Sequence, residues 1–361
     1  MSRSFNFNPG PSTLPLSALQ IAQQELLDYR GTGMSILETS HRSKEFKTIH
    51  DDTKSLLREL LGIPEDYAIL FLGGGASLQF AMIAMNFIPK KKSADYVVTG
   101  AWAKKALQEA NIIAKGNVAA STESENFGRI PESSELNLDP QAAYLHLTSN
   151  NTIFGTQWHH FPKTGSTPLI ADMSSDILSR EINVADFDMI YAGAQKNLGP
   201  AGVTIIILKQ NLADKANSDL PTMLSFKTHI EKDSLFNTPP VYAIYVTKLV
   251  LDWILQQGGV KAIEKQNNEK AELLYSCIDQ SDGFYRGTAS KDSRSKMNAT
   301  FRLANEDMEK EFLAKALDHE LKGLKGHRSV GGIRVSMYNA MPVQGIETLV
   351  NFMKTFQTNH Q

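Results

Sequence analysis

Cysteine is almost missing from this chain: Cys277 stands alone among 361 residues. A single thiol excludes an intrachain disulfide and any multi-cysteine metal site, and it fits a reducing compartment. No metal is expected. An excess of one charge sign is missing too, with a formal charge of -2 and a pI near 6.5. Lys and Arg are dispersed except for Lys90, Lys91 and Lys92 after Pro89, which read as a solvated cap at a helix end. Nucleic acid is therefore not an expected partner. Long apolar runs are also lacking: the longest, around Val203 to Leu208, is far too short to span a bilayer. The start, MSRSFNFNPGPSTLP, has no apolar signal core and is broken by Pro9 and Pro11. A soluble cytoplasmic protein with no membrane partner is expected.

What is present reads as a large, mixed fold without internal repeats or low-complexity tracts. Leu19, Ala22, Leu26 and Leu27 at helical spacing predict a helix over 16–30. A second helix is predicted over Lys44–Leu61, stopped by Gly62 and Pro64. Short β-rich runs then alternate with helical segments: Ala68–Leu72, Asp95–Thr99, Ala143–Leu147, Leu169–Ala171, Met189–Ala192 and Val203–Leu208. That alternation predicts an α/β fold with a largely parallel sheet covered on both faces. The last third changes texture. Apolar Val241–Gln257 predicts a helix broken at Gly258-Gly259, and Lys261–Ser276 predicts an amphipathic one. Strands at Asn298–Arg302 and Ile333–Ser336 then alternate with helices at Met308–Leu321 and Gln344–Phe356. The expected division is a large α/β domain over 16–259, with 1–15 and 260–361 forming a smaller α+β domain.

Ligands of open α/β sheets bind beyond the carboxyl ends of the strands. Five such ends carry polar or aromatic groups: Gly73-Gly74-Gly75-Ala76-Ser77 opening a helix, then Trp102, then Asn150-Asn151-Thr152, then Asp172, then Gln195-Lys196. Each alone is unremarkable. A glycine turn is common, Asp172 before Met173-Ser174-Ser175 is a plausible helix cap, and an isolated lysine belongs to the surface. The triple glycine has neither the GxGxxG spacing of dinucleotide binders nor a following GK[ST]. Together, however, they meet the needs of pyridoxal phosphate. That cofactor needs an amine for its aldehyde and an acid at its pyridine nitrogen. It also needs a glycine turn at a helix N-terminus for its phosphate, and a flat ring to stack on.

The segments FNFNPGPSTLP, GTGMSILETSHRSKEF, LFLGGGASLQFAMIAMN, ADMSSDILSR, YAGAQKNLGPAGV, NTPPVYAIY and GHRSVGGIRVSMYNAM carry a resemblance from Phe5 to beyond Met341. They are similar to the phosphoserine aminotransferase family, within the class V, fold-type-I aminotransferases. That fold implies a mainly parallel, seven-stranded-type sheet. The resemblance implies that Lys196 holds pyridoxal 5'-phosphate as a Schiff base, Asp172 faces the pyridinium nitrogen and Trp102 stacks on the ring. It places Thr152 near the phenolic oxygen and Ala76, Ser77 and Gln195 in the phosphate cradle. Asn237 and Thr238 would complete that cradle across the interface of a homodimer with composite sites. His41 and Arg42, with His327 and Arg328 from the other subunit, resemble the cluster that grips the substrate's phosphate or distal carboxylate. Arg334 resembles the arginine for the α-carboxylate, and guanidinium forks suit such anions.

The activity so implied is reversible, ping-pong amino transfer through a pyridoxamine form. L-glutamate and 3-phosphohydroxypyruvate give 2-oxoglutarate and O-phospho-L-serine, in serine biosynthesis. A phosphorylated hydroxythreonine of pyridoxine biosynthesis is the family's second substrate. Other class V chemistries fit less well. Desulfuration needs a mobile cysteine, and Cys277 falls in an amphipathic helical stretch. A serine– or alanine–glyoxylate aminotransferase would not need the anion cluster. A scaffold protein would not need Lys196 or the arginines, and a dehydrogenase would leave Asp172 with Lys196 unexplained.

Overall fold

The computed structural model describes residues 3–360. Its centre is a seven-stranded sheet: β1 (Tyr67–Leu72), β2 (Ser93–Val98), β3 (Lys115–Ser121), β4 (Leu145–Thr148), β5 (Leu169–Asp172), β6 (Met189–Gly193) and β7 (Thr204–Lys209). The spatial order is β1-β7-β6-β5-β4-β2-β3. Neighbours are parallel except around β7, which runs antiparallel to both β1 and β6. Hydrophobic periodicity reports burial rather than strand direction, so the reversal of β7 had no signal in the sequence.

Both faces of the sheet are covered, which explains why strands such as TIIILK and MIYAG are apolar throughout. One face buries Ile69, Phe71, Leu147, Ala171, Ile205 and Ile207 against α1 (Leu16–Gln24), α2 (Lys44–Leu61) and an apolar helix, here α5 (Val241–Gln256). The alternate residues, among them Leu70, Tyr96, Ile170, Tyr191 and Ile206, face α3 (Gly75–Phe87) and α4 (Ala101–Ile113). Helix α2 begins where the Ser43 hydroxyl accepts the Phe46 N–H and ends at Gly62 in left-handed geometry.

A third core lies outside the sheet. It joins Phe7 to residues of α6 (Gly259–Asp279), to Tyr285 just before β8 (Arg286–Gly287), and to residues of β9 (Asn298–Arg302), α7 (Glu306–Asp318), β10 (Ile333–Ser336) and α8 (Val343–Thr358). Strands β8, β9 and β10 form an antiparallel sheet in that order. The two-residue strand Phe5–Asn6 pairs in parallel with Leu321–Lys322, so the start of the chain is tied to its last quarter.

Several expected boundaries move. Helix α1 stops at Gln24 rather than 30, because nothing covers Leu27, which is 85% exposed. Helix α7 starts at Glu306, two residues before the periodicity indicated, because the Asn305 side chain caps it by accepting the Met308 N–H. It ends at Asp318, and Leu321 is taken by the strand. Strand β3 was not expected at all. KGNVAAS is a largely exposed sheet edge with little β-branched character.

Candidate active site

The strand ends place their polar groups around one cavity of about 260 Å³. Gly75, Ala76 and Ser77 enter it from the first turn of α3, Trp102 from the first turn of α4, and Thr152 from the segment after β4. Asp172 is the last residue of β5, and Gln195 and Lys196 follow β6. His327 and Arg334 close the wall from the third core region.

Lys196 is held at a defined point. Its Nζ donates to Ser175 Oγ at 2.7 Å and to Thr152 Oγ1 at 3.4 Å, and those two hydroxyls are 2.7 Å apart. Burial lowers the pKa of the amine, assisted by the Arg334 charge, while Asp172 and Asp176 oppose the shift. A larger neutral fraction makes a better nucleophile. The N-terminal segment seals this side: Ser12 N and Oγ donate to the carbonyls of Gln195 (3.0 Å) and Lys196 (2.7 Å). A Cβ at Gly10 would lie 3.3 Å from Lys196 Cγ, so bare backbone allows the approach.

Asp172 is buried, and burial raises its pKa; Lys196, Ser174 and the Tyr191 hydroxyl pull it back. The Ser174 N–H donates to it at 2.9 Å. Tyr191, its register partner on β6, is in turn 2.9 Å from His146 Nε2. Burial drives His146 down to about 3, so that ring is neutral. An ionised Asp172 only accepts, which orders the chain: His146 donates to Tyr191, and Tyr191 donates to Asp172. A cationic ring nitrogen beside Asp172 would offset the burial of its charge.

The remaining features fit the same ligand. Helix α3 presents its free N–H groups and positive end to the cavity, suited to a phosphate. The Trp102 ring lines the wall, with Lys105 Nζ 4.5 Å from its centroid. Trp102 Nε1 and Arg334 Nε are buried without a partner among the described residues. An amine, a buried acid, an aromatic face and a helix N-terminus are what pyridoxal phosphate requires, and the residues fit it.

Some sequence-predicted site residues are not in this cavity. Asn237 and Thr238 line a separate one of about 220 Å³ with Gly73, on another side of the glycine turn. His41 and Arg42 do not line the Lys196 cavity, and His41 Nε2 is buried without a partner among the described residues. His327, unlike them, lines the Lys196 cavity of its own chain. Arg328 is its exposed neighbour.

Comparison with known proteins agrees with this geometry. The model of the class-V aminotransferase family matches residues 4–349. Phosphoserine aminotransferase of Bacillus subtilis (strain 168) is 54% identical over 361 residues, covering 100% of both chains. The chain belongs to the phosphoserine aminotransferase family. Within that family, the enzyme of Desulfosudis oleivorans is 56% identical over 98% of each chain. The solved structure of phosphoserine aminotransferase from Bacillus circulans subsp. alkalophilus superimposes with a TM-score of 0.98 at 52% identity, covering 99% of each chain. The pyridoxal-phosphate-bound family member from Trichomonas vaginalis gives 0.93 at 36% identity, over 98% of this chain and 100% of that one.

Sequence reasoning missed several residues around the site. Ser175 and Tyr191 lie inside quoted segments that gave them no role, His146 lies outside all of them, and Tyr191 and His146 meet Asp172 only through strand register. Lys105 was legible in principle, three residues after Trp102 and hence on the same helix face.

Proposed function

We propose that this family member catalyses reversible amino transfer from L-glutamate to 3-phosphohydroxypyruvate, giving O-phospho-L-serine and 2-oxoglutarate with pyridoxal 5'-phosphate as cofactor. The observation that carries this is the half-buried Lys196, its amine poised on Ser175 and facing Asp172, in a cavity walled by Arg334 and His327. When bound, pyridoxal phosphate supplies the electron sink that makes an amino acid's α-proton removable. Asp172, ordered by Tyr191 and Ser174, holds the proton on the ring nitrogen. Lys196 Nζ, with its lowered basicity, takes the α-proton and returns it. The Arg334 guanidinium binds the α-carboxylate, and His327 with Arg328 meets the distal phosphate or carboxylate. Trp102 and the N-terminal segment exclude water from the reacting face.

The same anion recognition suits a phosphorylated hydroxythreonine as second substrate. The enzyme acts as a cytoplasmic homodimer in which Asn237, Thr238, His41 and Arg42 serve the partner's site. Their placement outside the Lys196 cavity supports this, as does the 61% exposure of Leu37 four residues before His41. The chain divides into a large domain over 16–259 and a small one formed by 1–15 and 260–361, and the separate third core supports that division.

The test is the visible spectrum of the protein loaded with pyridoxal phosphate, recorded before and after glutamate and, separately, O-phosphoserine. A yellow band that both amino acids convert to the pyridoxamine form is expected. Response to glutamate alone would mean another acceptor, and a colourless protein would falsify the cofactor assignment.

A further inference from the structure

His327 and Arg328 sit on a tight loop, residues 326–332, that closes on itself. The Gly326 N–H donates to the Gly332 carbonyl at 2.8 Å, and the Val330 and Gly331 N–H groups donate to the His327 carbonyl at 2.9 and 2.8 Å. His327 Nδ1 meets Ser329 Oγ at 2.7 Å. What holds this loop against the body of the protein is a carboxylate. Glu309, in the first turn of α7, turns inward and is only 6% exposed, although its neighbours Glu306 and Asp307 stay at the surface. Its Oε1 accepts from Arg302 Nε at 2.6 Å and from the Leu303 N–H at 3.3 Å, and its Oε2 accepts from the Gly332 N–H at 3.2 Å. Arg302 Nη1 completes the tie by donating to the Val330 carbonyl at 3.0 Å.

We infer that Glu309 and Arg302 are positioning residues that latch the His327–Arg328 loop at the cavity wall and so set affinity for the substrate's anionic end. An acid in a helix's first turn needs no burial to favour the helix dipole. Burial is costly unless each oxygen is satisfied, and here the donors are the end of β9 and the substrate loop itself. The fit is close: Gly332 has φ +74, and a Cβ there would lie 2.6 Å from Arg302 Cδ and 2.9 Å from the Phe301 carbonyl oxygen. Arg334, two residues beyond Gly332, has an anchor of its own outside the latch, because its N–H donates to the Leu324 carbonyl at 2.8 Å. This inference rests on the proposed contact of His327 and Arg328 with the substrate anion.

The experiment compares wild type, Glu309→Gln and Arg302→Lys as holoenzymes. It records KM and kcat for O-phosphoserine, the half-reaction rate with L-alanine, which has no distal anion, and the visible band. Glu309→Gln should raise KM for O-phosphoserine about 3- to 30-fold, the range for substitutions that act on a site without touching its ligand. Its kcat, its visible band and its L-alanine half-reaction should stay near wild type. Arg302→Lys keeps the charge but loses one of the two donors, and should raise that KM less than Glu309→Gln does. If Glu309→Gln does not fold, Gly332→Ala, which displaces the same contact, is read in the same way. An unchanged KM, or equal losses with O-phosphoserine and L-alanine, overturns the latch. A wild-type enzyme that processes L-alanine but never O-phosphoserine overturns instead the substrate reading beneath it.

Discussion

Lys270 on α6 is fully buried, with no carboxylate paired to it among the described residues, and its Nζ donates to the carbonyls of Met337 (3.1 Å), Tyr338 (2.8 Å) and Met341 (3.1 Å). Two effects compete there. Burying an ammonium costs several kcal/mol. Each hydrogen bond from a charged donor returns about 1.5–3 kcal/mol, and only the ammonium has three hydrogens for three carbonyls. Burial pushes the amine down to about 7. The folded value then lies below the unfolded one, so the unfolded chain binds more protons between them and stability rises with pH across that window. The penalty is complete below pH 7 and is relieved towards pH 10. At pH 7 the difference is about half a proton, and from pH 8 nearly a whole one, worth about 1.4 kcal/mol per pH unit. Relative to Lys270→Met, the wild-type apoprotein should therefore gain about 2 kcal/mol between pH 7 and 9. Paired urea-unfolding curves at several pH values measure it. Parallel pH dependences for the two proteins would show that the carbonyl cage, not burial, governs the proton, and the reasoning would be refuted.

Two further outcomes are expected. Tyr191→Phe removes the donor behind Asp172 and strands the His146 ring nitrogen, so it should weaken cofactor retention roughly 10-fold, about 1.4 kcal/mol. Fluorescence titration of the apoenzyme with pyridoxal phosphate measures this, and wild-type affinity would remove Tyr191 from the site's machinery. Lys105→Met should raise KM for O-phosphoserine about 3-fold, the scale of a partly exposed charge. The effect should shrink in 0.5 M salt, and an unchanged KM at low salt would mean that Lys105 only packs on Trp102.

How much of this was legible beforehand depends on what each signal encodes. Lys196 and Asp172 could be located because strand ends are marked by apolar runs, and the α/β topology turns those ends to one edge. Helix α2 was readable at both ends, since Gly62 is a local stop. Strand β3 was invisible because an exposed edge carries no apolar imprint, and the direction of β7 because side-chain alternation is the same either way. The chain from His146 through Tyr191 to Asp172 depends on register between strands joined by long connections, which no local window contains. The inward turn of Glu309 looks like any acidic helix start until its donors are seen.

The seal over Lys196 has a consequence in time. Phe5 and Pro9 are synthesised long before their partners: Phe5 pairs with Leu321, and the Pro9 carbonyl accepts from the Tyr338 hydroxyl at 2.8 Å. At about 5–20 residues per second, the leading segment waits roughly 15 to 60 s for its anchor. The sheet and its lysine can therefore form on the ribosome with their front door open. The enzyme closes it only after Leu321 and Tyr338 have been made, so a nascent chain stalled before Leu321 would hold the cofactor's attachment point without its cover.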